Sequence, residues 1–270
     1  MSLATGFVIA GNSTKLYCEI KGFGKPLVLI HGGLMDRRMW EAQFEFFSRY
    51  FTVVRYDIRG YEKSDRAEGE FSHVDDLYFL LKCLDISGCY ILGLSLGGQI
   101  AIDFTLEHPE MVNALIPASS AVTGFEYLDK ENLEPEFNYI FEEAAAGDFK
   151  HAAERVSSLP YFVPVEGNRE IILDMRSMIE ENLPAWAVPQ GSVKWPEPPA
   201  AERLSEINAP CLVVTGDKDV SDIFRAADAL SSTIPGARKK VIHNAGHHVN
   251  MEKPGEFNKA VLEFLNSLDG

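Results

Sequence analysis

The sequence predicts an α/β protein: a mostly parallel central sheet, flanked by helices on both faces and carrying an inserted helical lid. Three observations predict it. Short, wholly apolar runs recur along the chain, as strands buried on both faces require. Stretches of helical period lie between them. The alternation breaks only once, between about residues 122 and 199. The chain therefore divides into a first core part (1–121), a helical lid (122–199) and a second core part (200–270).

The elements follow in order. Weak strand signals lie at Phe7–Ala10 and Leu16–Lys21, the second closed by Gly22 and Gly24. Leu27–Ile30 is the first fully apolar strand and runs into His31-Gly32-Gly33. Thr52–Tyr56, Tyr90–Leu92, Ala114–Ile116, Cys211–Val214 and Lys240–Ile242 are similar. Ser72 is placed to cap a helix with Asp75 at its third position, and Leu77, Leu80, Leu81 and Leu84 form its apolar stripe. A second helix follows Ser95 and must end near Pro109. The last begins at Pro254, with Phe257, Val261, Phe264, Leu265 and Leu268 on one face. The interrupting stretch is helical, acidic near its start (Glu126, Asp129, Glu131, Glu134, Glu136, Glu142, Glu143) and ends in Trp195-Pro196-Glu197-Pro198-Pro199. Open α/β sheets bind ligands at the carboxyl ends of their strands, and an insertion there reads as a lid.

Charge narrows the partners. With 25 Lys and Arg against 40 Asp and Glu, the net charge is −15. Such a surface repels a phosphate backbone and anionic lipid, so neither nucleic acid nor membrane is an expected partner. No apolar run approaches the ~18 residues of a membrane span. No basic region precedes the short Phe7–Ala10 run, unlike a signal peptide. Cys18, Cys83, Cys89 and Cys211 form no C-x-x-C pair and have no histidine at zinc spacing. They read as buried free thiols of a cytoplasmic protein.

The chemistry centres on Gly93-Leu94-Ser95-Leu96-Gly97-Gly98, which follows an apolar strand and opens a helix. A serine hydroxyl is a poor nucleophile unless it is held clear of the sheet and near a base. A sharp strand-to-helix turn does the holding, and its crowded backbone requires small residues two before and two after the serine. The new helix also aims free N–H groups at the site, where negative charge develops on an attacked carbonyl.

These residues resemble the α/β-hydrolase family across nearly the whole chain outside the lid. Four features carry the resemblance, in the family's order. They are His31-Gly32-Gly33 after a strand, Asp57-Ile58-Arg59-Gly60-Tyr61-Glu62-Lys63-Ser64, the turn at Ser95, and a late Asp followed by Gly246-His247. The second departs from the family's D-x-R-G-x-G-x-S, since Glu62 stands where a glycine is usual.

The resemblance implies a nucleophile, Ser95, with a base at His247 and an acid at Asp219. His248 is the rival base, and Asp217 and Asp222 are nearby acids that also suit turn or helix-cap roles. His243 is expected to be structural. Some relatives place the acid one strand earlier, but Pro117–Val122 holds no carboxylate. The implied oxyanion hole uses the N–H groups of Gly33 and Leu96, with His31 shaping that loop. Met39 and Trp40 either line the pocket or pack the core, with packing preferred.

Relatives with an Asp nucleophile, the dehalogenases and epoxide hydrolases, are excluded by Ser95. What is implied is an esterase or enol-lactonase-like serine hydrolase acting on a small acyl substrate without metal or cofactor. Carbon–carbon bond hydrolases and cofactor-free haloperoxidases share the pattern, and a ligand receptor of the same fold with little turnover is the alternative from another class. An acidic lid disfavours a dianionic substrate unless Lys130, Lys150, Arg155, Arg169 and Arg176 form a local positive pocket.

Overall fold

A computed structural model describes residues 3–10, 13–128, 130–186 and 191–268, with residues 130–134 described by backbone alone. Eight strands form one sheet: β1 (Ala4–Ile9), β2 (Lys15–Gly22), β3 (Pro26–Ile30), β4 (Thr52–Tyr56), β5 (Cys89–Leu94), β6 (Val112–Ala118), β7 (Leu212–Gly216) and β8 (Arg238–Ile242). Their spatial order is β1-β2-β4-β3-β5-β6-β7-β8. β1 and β2 pair antiparallel, as do β2 and β4; the remaining pairs are parallel. β4 lies on one side of β3 and β5 on the other, so the strand order reverses direction at β3. A crevice opens where neighbouring connections diverge, at the carboxyl ends of β3 and β5.

The apolar strands show why they read as they do. Leu27 and Leu29 of β3 enter one core with Trp40, Phe44, Phe257 and Val261. Val28 and Ile30 of the same strand enter the other with Leu77, Leu81, Ile100 and Phe104. Both faces of the strand are therefore covered. The first core is covered by α1 (Glu41–Phe47) and the last helix, Pro254–Asn266; the second by α2 (His73–Cys83) and α3 (Leu96–Glu107). The Ser72 hydroxyl accepts the Asp75 N–H at 3.2 Å and caps α2. β1 extends further toward the N-terminus than its weak apolar signal indicated, and Phe7 and Ile9 face solvent on this edge strand.

Between β6 and β7 lie α4 (Lys130–Ala145), α5 (Phe149–Val156), α6 (Arg169–Asn182) and α7 (Ala200–Arg203). α6 buries Met175, Met178, Ile179 and Asn182, one face at helical spacing. Phe71 bridges Val193 in parallel and ties the end of this segment to the core. α8 (Ser221–Thr233) joins β7 to β8, α9 (Val249–Glu252) follows, and Pro254–Asn266 is α10. Among the described residues no helix is long and apolar enough to cross a membrane. Cys18, Cys89 and Cys211 are buried free thiols, but Cys83 is exposed at the end of α2, where its thiol meets Ile9 O of the edge strand β1 at 3.5 Å. The acidic residues Asp129, Glu131 and Glu134 lie outside the described side chains.

Candidate active site

Ser95 stands between β5 and α3 with φ 55° and ψ −115°, a conformation that ordinary residues avoid. The flanking glycines are explained by distance. A Cβ at Gly93 would lie 2.0 Å from the carbonyl oxygen of Gly97, and one at Gly97 would lie 2.1 Å from that of Ile30. A Cβ at Gly98 would meet the Ser120 hydroxyl at 2.3 Å. The turn is fastened by the Ser95 N–H, donated to Ala118 O at 3.0 Å, and by the Gln99 N–H, donated to Ser95 O at 3.0 Å.

Ser95 and His247 line one cavity of about 300 Å³, together with Gly33 and Leu96. Leu96 is the first residue of α3, where an N–H has no intrahelical partner. The rest of the wall is mostly aromatic: Phe137, Tyr161, Phe162 and Trp186, all from the segment between β6 and β7.

His247 and Asp219 are both buried, and His247 Nδ1 meets Asp219 Oδ1 at 2.9 Å. A carboxylate accepts, so the hydrogen sits on Nδ1 and Nε2 keeps its lone pair. Asp219 Oδ1 also accepts the Val220 N–H at 2.8 Å, while Oδ2 is buried without a partner. Tyr161 packs edge-on against His247 with ring centres 5.1 Å apart.

The rival residues turn elsewhere. His248 also lines the cavity, but its Nδ1 donates to Tyr161 O at 3.0 Å and burial holds its pKa down at about 3. Asp217 accepts the Asn244 N–H at 2.7 Å and faces the exposed His243 at 3.2 Å, both on the surface. Asp222 sits in the first turn of α8 and meets Arg225 at 2.6 Å. Met39 and Trp40 are core residues; the Met39 sulfur accepts the Gly32 N–H at 3.3 Å, and Trp40 packs on Phe257.

His31 shapes the loop after β3. Its Nε2 accepts the Ile58 N–H at 2.9 Å, so Nδ1 carries the hydrogen and donates to Gly32 O at 2.8 Å. Burial lowers its pKa to about 4, so the ring stays neutral and joins the loops after β3 and β4. Glu62 takes the backbone its missing glycine implies: φ is 40°. Its N–H donates to Asn182 Oδ1 at 2.9 Å and its carboxylate meets Arg37 at 3.1 Å. The backbone contact is one a glycine would also make; the ion pair with Arg37 is the one that Glu62 adds.

Two residues escaped the reading of the sequence. Glu252 accepts the Gly246 N–H at 3.1 Å and the Val165 N–H at 2.8 Å, joining the His247 loop to the segment between β6 and β7. Asn182 donates to Asp36 at 2.9 Å while holding Glu62. No local pattern marks either one, since each acts across the fold. Lys150, Arg155, Arg169 and Arg176 do not line this cavity or the two that adjoin it, so they form no positive pocket there. Arg155 pairs instead with Glu136, and Arg176 with Glu180. The Lys130 side chain lies outside the described residues. No cluster of three or more His, Cys, Asp or Glu among the described residues could hold a metal ion.

Comparison with known proteins agrees with this architecture. A 2-hydroxy-6-oxo-6-(2'-aminophenyl)hexa-2,4-dienoic acid hydrolase of Metapseudomonas resinovorans is 27% identical, over 96% of this chain and 90% of its own. A pimeloyl-[acyl-carrier protein] methyl ester esterase of Aliivibrio fischeri is 26% identical, over 94% of this chain and 98% of its own. A solved thermophilic esterase from Thermogutta terrifontis superposes with a TM-score of 0.81 at 26% identity, covering 98% of this chain and 99% of that one. The family model for the alpha/beta hydrolase fold matches residues 25–254, and the chain belongs to that family.

Proposed function

We propose that this protein is a serine hydrolase that cleaves an uncharged carboxylic ester or lactone through an acyl-enzyme on Ser95. The observation that carries the reading is the placement of Ser95 and the Asp219-paired His247 on one largely aromatic cavity. Ser95 Oγ attacks the carbonyl carbon while His247 Nε2 takes its proton. The carbonyl oxygen gains the charge and rests on the N–H groups of Gly33 and Leu96, each worth about 3 kcal/mol in such a site. The tetrahedral centre collapses, and the alcohol leaves with the proton from His247. Water then gives a proton to His247 and attacks the acyl carbon, and Ser95 regains its hydrogen as the acid departs. Asp219 holds the imidazole in the tautomer both steps need.

Residues 122–199 act as the lid in this reading, since Phe137, Tyr161, Phe162 and Trp186 wall the cavity. Its lining offers apolar surface and no lysine or arginine, which favours an uncharged acyl group over the dienoic acid of the M. resinovorans relative. Free thiols fit a cytoplasmic setting.

The test is hydrolysis of a panel of p-nitrophenyl esters and lactones, with labelling by a serine-directed phosphonate. Ser95→Ala removes both turnover and label. Activity or label that survives the substitution overturns the proposal.

A further inference from the structure

One cavity adjoining the first has a volume of about 510 Å³ and shares Ser95, Gln99 and Tyr161 with it. His247 does not line it, nor do Gly33 and Leu96, the proposed oxyanion donors. That difference decides which part of an ester it suits. An acyl carbon bonded to Ser95 Oγ sends its oxygen toward Gly33 and Leu96. The alcohol must leave beside His247, which gives it a proton, and the attacking water must then take the same place. Both belong to the first cavity. The acyl chain exchanges no proton, and a cavity that reaches Ser95 without His247 is the space left for it.

Gln99 stands where the two cavities meet. α3 is buried from Gly97 to Thr105 except at Gln99, which is half-buried, one helical turn from Ser95, and lines both cavities. The surface it keeps is therefore turned to them. Its carboxamide has no hydrogen-bond partner among the described residues, and neither amide atom is sealed in the interior. Other polar side chains of the second wall are engaged. The Tyr127 hydroxyl accepts the Val122 N–H at 2.9 Å, and Arg225 takes Asp222 at 2.6 Å. Asp222 is the one charged side chain among the described lining, so no free cation awaits a carboxylate there. Phe137 and Phe141 supply apolar surface.

We propose that this cavity holds the acyl chain and that Gln99 determines specificity there, hydrogen-bonding an amide that the chain carries close to the scissile carbonyl. An alkyl chain laid over Gln99 strips water from the carboxamide and returns no bond, whereas an amide replaces the bond it displaces. An amide both donates and accepts, so it satisfies either atom of the carboxamide. The acyl assignment rests on the proposed hydrolase function; the hydrogen bond to Gln99 does not.

The experiment compares methyl N-acetylglycinate with methyl pentanoate, acyl chains of equal length with and without the amide. Dividing the ratio of their kcat/KM values in the unsubstituted protein by that in Gln99→Met cancels the intrinsic reactivity of the esters. The amide preference is expected to fall about tenfold in Gln99→Met, the order of one neutral hydrogen bond. Mono-methyl glutarate, which ends in a carboxylate, should be turned over more slowly than either ester. Asn138→Trp, on the wall of this cavity alone, should slow methyl decanoate more than decyl acetate, because the long chain is acyl in the first and alcohol in the second. An amide preference that survives Gln99→Met, a preference for the glutarate, or an equal or reversed effect of Asn138→Trp overturns the proposal. If Gln99→Met does not fold, the side-chain amide resonances of Gln99 in the Ser95→Ala protein decide: they shift with methyl N-acetylglycinate and not with methyl pentanoate. No turnover of any ester by the unsubstituted protein would instead overturn the hydrolase reading and the acyl assignment with it, and the same resonances would still decide the role of Gln99.

Discussion

Glu252 spans two parts of the fold with one carboxylate: Oε1 accepts the N–H of Gly246, immediately before His247, and Oε2 accepts that of Val165. Around this bridge, Glu166 takes Asn244 at 2.7 Å and Lys253 at 2.5 Å, and His248 holds Tyr161 O. The His247 loop and the segment carrying Tyr161 and Phe162 are thus fastened together. An amide has one acceptor where the carboxylate has two, so Glu252→Gln loses one strut. The expected result is a kcat lowered about tenfold with KM changed less than twofold, because a misplaced base costs rate before it costs binding. Steady-state kinetics on a p-nitrophenyl ester checks it; an unchanged kcat with a lowered melting temperature would assign Glu252 to stability alone.

The glycines around Ser95 differ in what blocks them. Gly97 faces the backbone of Ile30 and His31, which cannot yield, so Gly97→Ala should destabilise the fold by more than about 3 kcal/mol. Gly98 faces the Ser120 side chain, with Oγ at 2.3 Å and Cβ at 2.6 Å. Gly98→Ala should therefore be rescued in large part by Ser120→Gly, whereas Gly97→Ala should not. Thermal melts of the two single variants and the double variant separate these outcomes.

Glu62 occupies left-handed backbone and is partly compensated by Arg37. Glu62→Ala keeps the strain and loses the ion pair, while Glu62→Gly loses the pair and relieves the strain. Arg37 stays paired in both with Asp57 at 2.7 Å and Glu19 at 2.9 Å. The glycine variant is expected to be about 1 kcal/mol more stable than the alanine variant. Urea denaturation of the two variants measures the difference.

Asp103 gives stability a pH dependence. It is buried on α3, with Oδ2 accepting the Thr123 hydroxyl at 2.6 Å and Oδ1 unpartnered. Burial raises its pKa from 3.8 to about 6. A raised carboxylate pKa favours the protonated form in the fold. Its contribution is complete below about pH 4 and is lost as pH climbs through about 6, a change of about 2–3 kcal/mol. Asp103→Asn stays uncharged and still accepts from Thr123. It should match the parent at pH 4 and exceed it by that amount at pH 8, as read from denaturation at the two pH values.

The sequence by itself determined the sheet and the turn. The inner strands were legible because burial on both faces leaves unbroken apolar runs such as Leu27–Ile30, the outer strand β1 gave only a weak signal because Phe7 and Ile9 face solvent, and the glycines beside Ser95 were legible because crowding permits nothing larger. These are local demands, and local patterns record them. Tertiary structure decided which residues meet. His247 and His248 are adjacent and chemically identical, yet one turns to Asp219, 28 positions away, and the other to Tyr161, 87 positions away. Asp217, Asp219 and Asp222 are separated the same way, by orientation rather than composition. The cavity walls, the pairing of Arg155 with Glu136 and the reach of Glu252 also depend on contacts between distant segments. A side chain's partner is set by where the fold aims it, and no periodicity along the chain encodes that direction.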